Sequence, residues 1–177
     1  MTPNVSFALL DQAVIRGRGD EPLVLADGGT WTTARLLEEV AALGGVLRHL
    51  GIGVGIPCVL DLESDLDAVV AALATARVGG IVTSVDDPAA PAVVVSAGSG
   101  IGEGRPRLVR AGQEAVVEPD LDWEVMIRAG RTDPAGCEVL GDGSPYSPER
   151  TVAEQTAVLR GAPPPYVAAD LRALLGV

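Results

Sequence analysis

Four glycines at alternate positions, Gly98, Gly100, Gly102 and Gly104, follow an apolar run and stand just ahead of Arg105, Arg107 and Arg110. A glycine-rich turn grips phosphate when a helix begins at once and its free backbone N–H groups converge on the anion. Here Arg105-Pro106-Arg107 follows with no helical pattern, so a flexible linker carrying solvated arginines accounts for the segment better. His49 is the sole histidine, at the end of a helical pattern, where it complements the helix dipole. One histidine without a partner base assembles no Ser–His–Asp arrangement. Asp61, Glu63, Asp65 and Asp67 alternate through a strand end and a helix start. They lack the glycine turn and terminal glutamate of a calcium loop and read as a solvated face with a helix cap. Cys58 and Cys137 lie far apart, with no CxxC and no metal-ligand spacing, and each reads as a small buried hydrophobe. No residue is therefore singled out as catalytic or as a metal ligand. Every positive side chain is arginine; without lysine, Schiff-base chemistry and ammonium grips on phosphate are excluded.

The elements that position these residues are bounded by composition. A chain of 177 residues with 47% hydrophobic content suits one folded domain with its own core. Aromatic residues are only 3%, so Ala, Val and Leu must build that core. A net charge of −11 repels nucleic acid and anionic membranes. The N-terminus shows no signal-peptide pattern, and no apolar run reaches membrane-span length, so a cytoplasmic location is expected.

Helical spacing covers 4–16, and a strand at 23–26 turns through Asp27-Gly28-Gly29 into Thr30-Trp31 as a hairpin. Thr32 or Thr33 caps a helix through His49, with an apolar stripe of Leu36, Leu37, Val40, Leu43, Leu47 and Leu50. Strands are predicted near 57–62, 81–85 and 92–97. Between the first two, Ser64 and Asp67 open a helix through Arg77, which makes a parallel strand–helix–strand unit. Leu108–Arg110 with Ala115–Glu118 suggests a hairpin, Asp122–Ala129 a short helix, and Ser147-Pro148-Glu149 the start of another helix. After Ala162-Pro163-Pro164-Pro165 a last helix covers 167–175. The expected organisation is a single domain, 1–177, with a well-organised α/β part at 4–97. An irregular part at 98–148 and a helical tail at 149–177 complete it.

The order of three segments resembles the opening of the large subdomain of AMP-forming acyl-CoA synthetases. They are NVSFALLDQAVIRGRGDEPLVLADG, TWTTARLLEEVAALGGVLRHLGIGVG and DAVVAALATARVGGIVTSV. GRGDEP, VVVSAGSGI and DLDWEVMIRAGRTDPAGCEV are similar more narrowly to the acetyl/propionyl-CoA synthetase branch. The resemblance implies an α/β fold: a partial doubly wound, Rossmann-like parallel or mixed sheet flanked by helices. It also places Arg105 where the family sets arginines near the nucleotide end of coenzyme A.

The departures weigh against catalysis. The family's phosphate loop, of the type YTSGTTGKPKG, holds ATP with hydroxyls, amides and a lysine. This chain offers VLGDGSPYSPERTV, which either sets Glu149 on the lysine position or leaves the loop out. The adenine-binding and magnesium-binding motifs, the hinge and the small C-terminal domain find no counterpart before Val177. The expected function is therefore a non-catalytic, truncated relative acting as a binding or protein-interaction module. A homo-oligomer or protein partner would cover the surface that a whole enzyme buries. A sensor of coenzyme A, acyl-CoA or nucleotide around Arg105 is the alternative, and acyl-adenylating activity completed by a second chain is a third. No bound cofactor is otherwise expected.

Overall fold

Asn4 Oδ1 accepts from the backbone N–H groups of Ser6 and Phe7, at 2.9 and 3.3 Å, and the first helical segment follows. The computed structural model describes residues 4–112 and 116–177. A π-helical turn, Phe7–Asp11, runs into α1 (Gln12–Ile15). The expected hairpin is present as antiparallel β1 (Pro22–Ala26) and β2 (Gly29–Thr32). Thr32 then caps α2 (Thr33–His49) by accepting from the Arg35 N–H. Leu36, Val40, Leu43 and Leu47 of the predicted stripe are fully buried, each contributing about 1.5–3 kcal/mol relative to exposure.

β3 (Pro57–Asp61), α3 (Asp65–Arg77) and β4 (Ile81–Thr83) form the expected parallel unit, and β5 (Val93–Ser96) joins the same sheet. The sheet continues past Ala97 with β6 (Arg107–Arg110) and β7 (Leu121–Asp122), giving the all-parallel order β4-β3-β5-β6-β7. The organised part therefore does not stop at 97. Of the hairpin expected at 108–118, Ala115 lies outside the described residues and 116–118 form no strand. Leu108–Arg110 pairs in parallel with β5 instead. Two-residue alternation sorts the side chains. Cys58, Leu60, Val94 and Leu108 face the main core under the helices. Val59, Val93, Val95 and Val109 face a second small cluster under Ala90 and Ile101. The glycine-rich stretch is thus a cover for that second face, not a free linker. A Cβ on Gly102 would stand 2.4 Å from Val93, so only glycine lets the loop lie this close.

Asp122 caps α4 (Trp123–Gly130), as expected for a short helix there. It crosses α2 where Gly130 meets Ala42; a Cβ at Gly130 would come within 2.2 Å of the Ala42 carbonyl. The helix expected from Ser147-Pro148-Glu149 does not begin there. Those residues turn a small hairpin, β8 (Pro145–Ser147) with β9 (Arg150–Thr151), and α5 (Val152–Arg160) starts after it. Thr151 and Glu154 supply a reciprocal capping box, a stronger start than the Ser-Pro-Glu signal. Buried Tyr146 anchors the hairpin by donating to the Leu175 carbonyl at 3.0 Å.

The tail is accordingly not all helix. β10 (Tyr166–Val167) adds in parallel to β1, and α6 (Ala168–Leu175) packs on α3 with Leu171 and Leu175 buried. The segment after 149 folds back over the sheet helices. Among the described residues, no helix is long and apolar enough to cross a membrane.

Candidate functional site

In a parallel sheet the chain leaves every strand at the same edge, and a crevice opens where successive connections depart in opposite directions. Here β3 connects to β4 on one side while β5 lies on its other side. The crevice outside the ends of β3, β5 and β6 has a volume of about 720 Å³ and is bordered by Glu63, Ser64, Asp67, Ser96, Arg110 and Glu124. Its hydroxyls are committed: Ser96 Oγ accepts from the Glu63 N–H at 2.9 Å, and Ser64 Oγ caps α3 by accepting from the Asp67 N–H. Arg110 is held between two helix starts. Its Nε donates to Asp67 at 3.0 Å, its Nη1 pairs with Glu124, and its guanidinium lies 5.6 Å from the Trp123 ring centroid. Three carboxylates around one arginine make the crevice electronegative, which disfavours polyphosphate and suits a polar or cationic surface.

The sequence-predicted residues distribute as follows. Arg105 precedes β6, so it stands at the opposite sheet edge from Arg110, about 16 Å along an extended strand. Its Nη1 donates to the carbonyls of Asp87 at 2.6 Å and Ala90 at 3.4 Å, and its Nη2 pairs with Asp86. Arg105 thereby fastens the 86–90 loop. Arg107 donates to the Ser99 carbonyl at 2.8 Å and pairs with Asp120 at 3.2 Å. The three arginines therefore do not converge on a common point; each is consumed by an internal partner. Asp61 accepts from Ser99 Oγ at 2.6 Å and Asp65 pairs with Arg172 at 3.0 Å, so these acids clamp loop and tail. His49 is exposed at the end of α2, as the dipole argument expects.

Cys58 is fully buried, and burial pushes its thiol up to about 11 against a weaker opposing hydrogen bond with Thr75. Cys137 is not a simple hydrophobe. Its sulfur accepts from Arg77 Nη1 at 3.0 Å and lies 3.6 Å from Asp11. Burial still outweighs the Arg77 charge and pushes its thiol up to about 12. Neither thiol is a nucleophile at neutral pH. Sequence reasoning missed Arg77, Asp11 and Asn4, which join α3, the first helix and the 135–138 segment. Asn4 Nδ2 alone donates to the carbonyls of Ala76 at 2.9 Å and Glu138 at 3.1 Å. An arginine closing the Ala- and Val-rich second half of α3 was the available signal.

At the position of the expected phosphate loop, Ser147 pairs with Arg150 across the β8–β9 hairpin, and only Pro148 and Glu149 lie between them. Ser147 Oγ accepts from the Glu149 N–H at 3.3 Å. Arg150 turns inward, donating to Gln155 Oε1 at 2.9 Å and to the Leu174 carbonyl at 3.2 Å. The hairpin presents a carboxylate at its tip and no free cation.

Comparison with known proteins places this geometry. The family model described as "AMP-binding enzyme" matches residues 10–121. Among curated proteins, the chain is 27% identical over 184 residues to an uncharacterized protein of Pseudomonas aeruginosa, covering 80% of this chain and 29% of that one. It is 29% identical over 147 residues to the acetyl-coenzyme A synthetase of Deinococcus radiodurans, covering 72% and 23%. With the human mitochondrial acyl-CoA synthetase short-chain family member 3 the identity is 31% over 120 residues, covering 58% and 18%. The chain thus spans less than a third of the length of these relatives. Among solved structures, a Brucella canis acyl-CoA synthetase superposes with a TM-score of 0.68 at 17% identity, over 81% of this chain and 30% of that chain. A benzoate CoA ligase from Burkholderia xenovorans LB400 gives 0.61 at 19% identity, over 81% and 32%. These superpositions carry the fold.

Proposed function

Because the chain belongs to the family of AMP-binding enzymes, we propose that it serves there as a binding or protein-interaction module and not as an adenylating enzyme. The observation that carries this reading is the two-residue Pro148-Glu149 turn between β8 and β9. A phosphate grip needs several convergent N–H groups and a mobile cation. The turn offers neither, Glu149 repels polyphosphate, and the sequence holds no lysine to substitute. The narrower placement in the acetyl/propionyl-CoA synthetase branch belongs to the same proposal, supported by the similarity to short-chain relatives.

Exposed apolar side chains support the partner part of this reading. Val54 and Leu140 meet over Gly79, and beside them Val54, Ile56 and Val139 are 61%, 37% and 76% exposed. Exposed valine and isoleucine side chains support association as this proposal's route for a partner. The coenzyme A sensor reading loses its support where Arg105 is spent on the 86–90 loop.

The deciding experiment is acid-dependent ATP–pyrophosphate exchange with acetate, propionate and longer acids, run beside light scattering over a dilution series. No exchange above a protein-free blank is expected, with a mass above one chain at high concentration that Val54→Asp reduces. Exchange by the purified chain would overturn the reading. A monomer at every concentration would remove its self-association arm.

A further inference from the structure

The folded-back tail borders a second, half-open cavity whose lining shares no residue with the sheet-edge crevice. Its walls are Leu9 of the first helical segment, Leu23 of β1, Leu159 of α5 and Tyr166 of β10, and its volume is about 220 Å³. The Tyr166 hydroxyl fixes one wall by donating to the Ala162 carbonyl at 2.8 Å. That volume exceeds the roughly 150 Å³ of an apolar cavity that takes benzene, and it falls short of the usual 300–1,000 Å³ of drug-sized sites. An apolar body of about six carbons suits that volume.

Charge at the opening defines the other end of the ligand. The lining carries Arg18 and Arg160 against Glu21 alone, a positive balance in a chain of net charge −11. Arg18 is exposed and pairs with Glu21 at 3.3 Å. Arg160 is exposed, so it stands where the cavity meets solvent. Most of the 13 arginines hold a carboxylate, a carbonyl or a ring face, even the exposed ones: Arg48 pairs with Asp133 and Arg35 lies 3.8 Å over Trp31. Among the described residues Arg160 holds none. An arginine kept out of pairing in a chain of 24 acids, at the opening of an apolar cavity, is a free grip for an anionic group.

We propose that this cavity binds a short amphipathic anion, its apolar body between Leu9, Leu23 and Leu159 and its anionic head on Arg160. The inference is independent of the sheet-edge crevice and of the turn at Glu149.

The test titrates the full chain by calorimetry with hexanesulfonate and with hexyl phosphate, using hexanol as the neutral control. Saturable one-to-one binding of at least one anion is expected, with hexanol weaker by about tenfold or more. The relative affinity of the two anions tells a singly charged head from a phosphate. Arg160→Ala should weaken the anion by about tenfold and leave hexanol unchanged. Arg128→Ala, at an exposed arginine away from the cavity, should change neither. Ala13→Leu, which fills the cavity, should abolish binding of all three, and NMR methyl shifts on titration should map to Leu9, Leu23 and Leu159. Absence of saturable binding by both anions overturns the proposal. So does anion binding that Arg160→Ala leaves intact, and Arg160 is exposed enough for that variant to fold.

Discussion

The guanidinium of Arg77 meets the carboxylate of Asp11 in two parallel bonds, Nη1 to Oδ2 at 2.8 Å and Nη2 to Oδ1 at 3.1 Å. The arginine side chain is only 7% exposed and the aspartate 17%, and Arg77 Nε donates to the Ala135 carbonyl at 2.6 Å. The first helical segment, the end of α3 and the 135–138 segment therefore share one buried charge pair.

Removing one partner strands the other charge away from water. Asp11→Ala should cost about 3–5 kcal/mol of unfolding free energy. Replacing both, as Asp11→Leu with Arg77→Met, should cost much less, because no buried charge is then left unpaired. Urea denaturation of the single and double variants measures the difference. Equal losses would mean that packing and not charge dominates the site.

The start of α5 can be located energetically. Thr151→Ala removes the capping hydroxyl that accepts from the Glu154 N–H, and should cost about 1 kcal/mol. Ser147→Ala and Pro148→Ala lie in the hairpin turn and should each change stability by less than about 0.5 kcal/mol. Denaturation midpoints at constant slope give the comparison. A larger loss at Ser147 than at Thr151 would place the helix start where the sequence pattern alone puts it.

The thiols set an alkaline limit on stability. Unfolded thiols ionise near 9.0, whereas Cys58 stays protonated to about 11 and Cys137 to about 12 in the fold. Above pH 9 the unfolded chain loses these protons first, so its bound-proton number falls below that of the native state and stability declines as pH rises. Below that pH both states are protonated and the contribution is fully present. The denaturation midpoint should hold from pH 7 to 8.5 and fall from 9 upward. Cys58→Ala with Cys137→Ser should flatten the fall between pH 9 and 10, where buried Tyr146 remains protonated in the fold. An unchanged slope in the double variant would assign the decline to other groups.

Local chemistry was readable from the sequence because its causes act within a few residues. Thr32 and Ser64 cap their helices through hydroxyls three residues from the N–H they accept, and the stripe of Leu36, Val40, Leu43 and Leu47 needs only the helical repeat. The parallel β3–α3–β4 unit, the absence of lysine and the order of segments that marks the family were likewise present in the chain itself. Competing local signals decided less well. Ser147-Pro148-Glu149 read as a helix start, but the hairpin it turns, with Tyr146 buried against Leu175, leaves the capping box of Thr151 and Glu154 to begin the helix. What remained depends on partners distant in sequence. Arg77 and Asp11 are 66 residues apart, and no pattern in either segment announces that both are taken from water together. Arg105 looked free because the loop it fastens is 18 residues away, and nothing local to Arg160 announces that Leu9 and Leu23 lie in the same cavity lining. Pairing and enclosure are properties of the packed chain: the energy of a charge is set by what surrounds it in space, and only the tertiary structure supplies those surroundings.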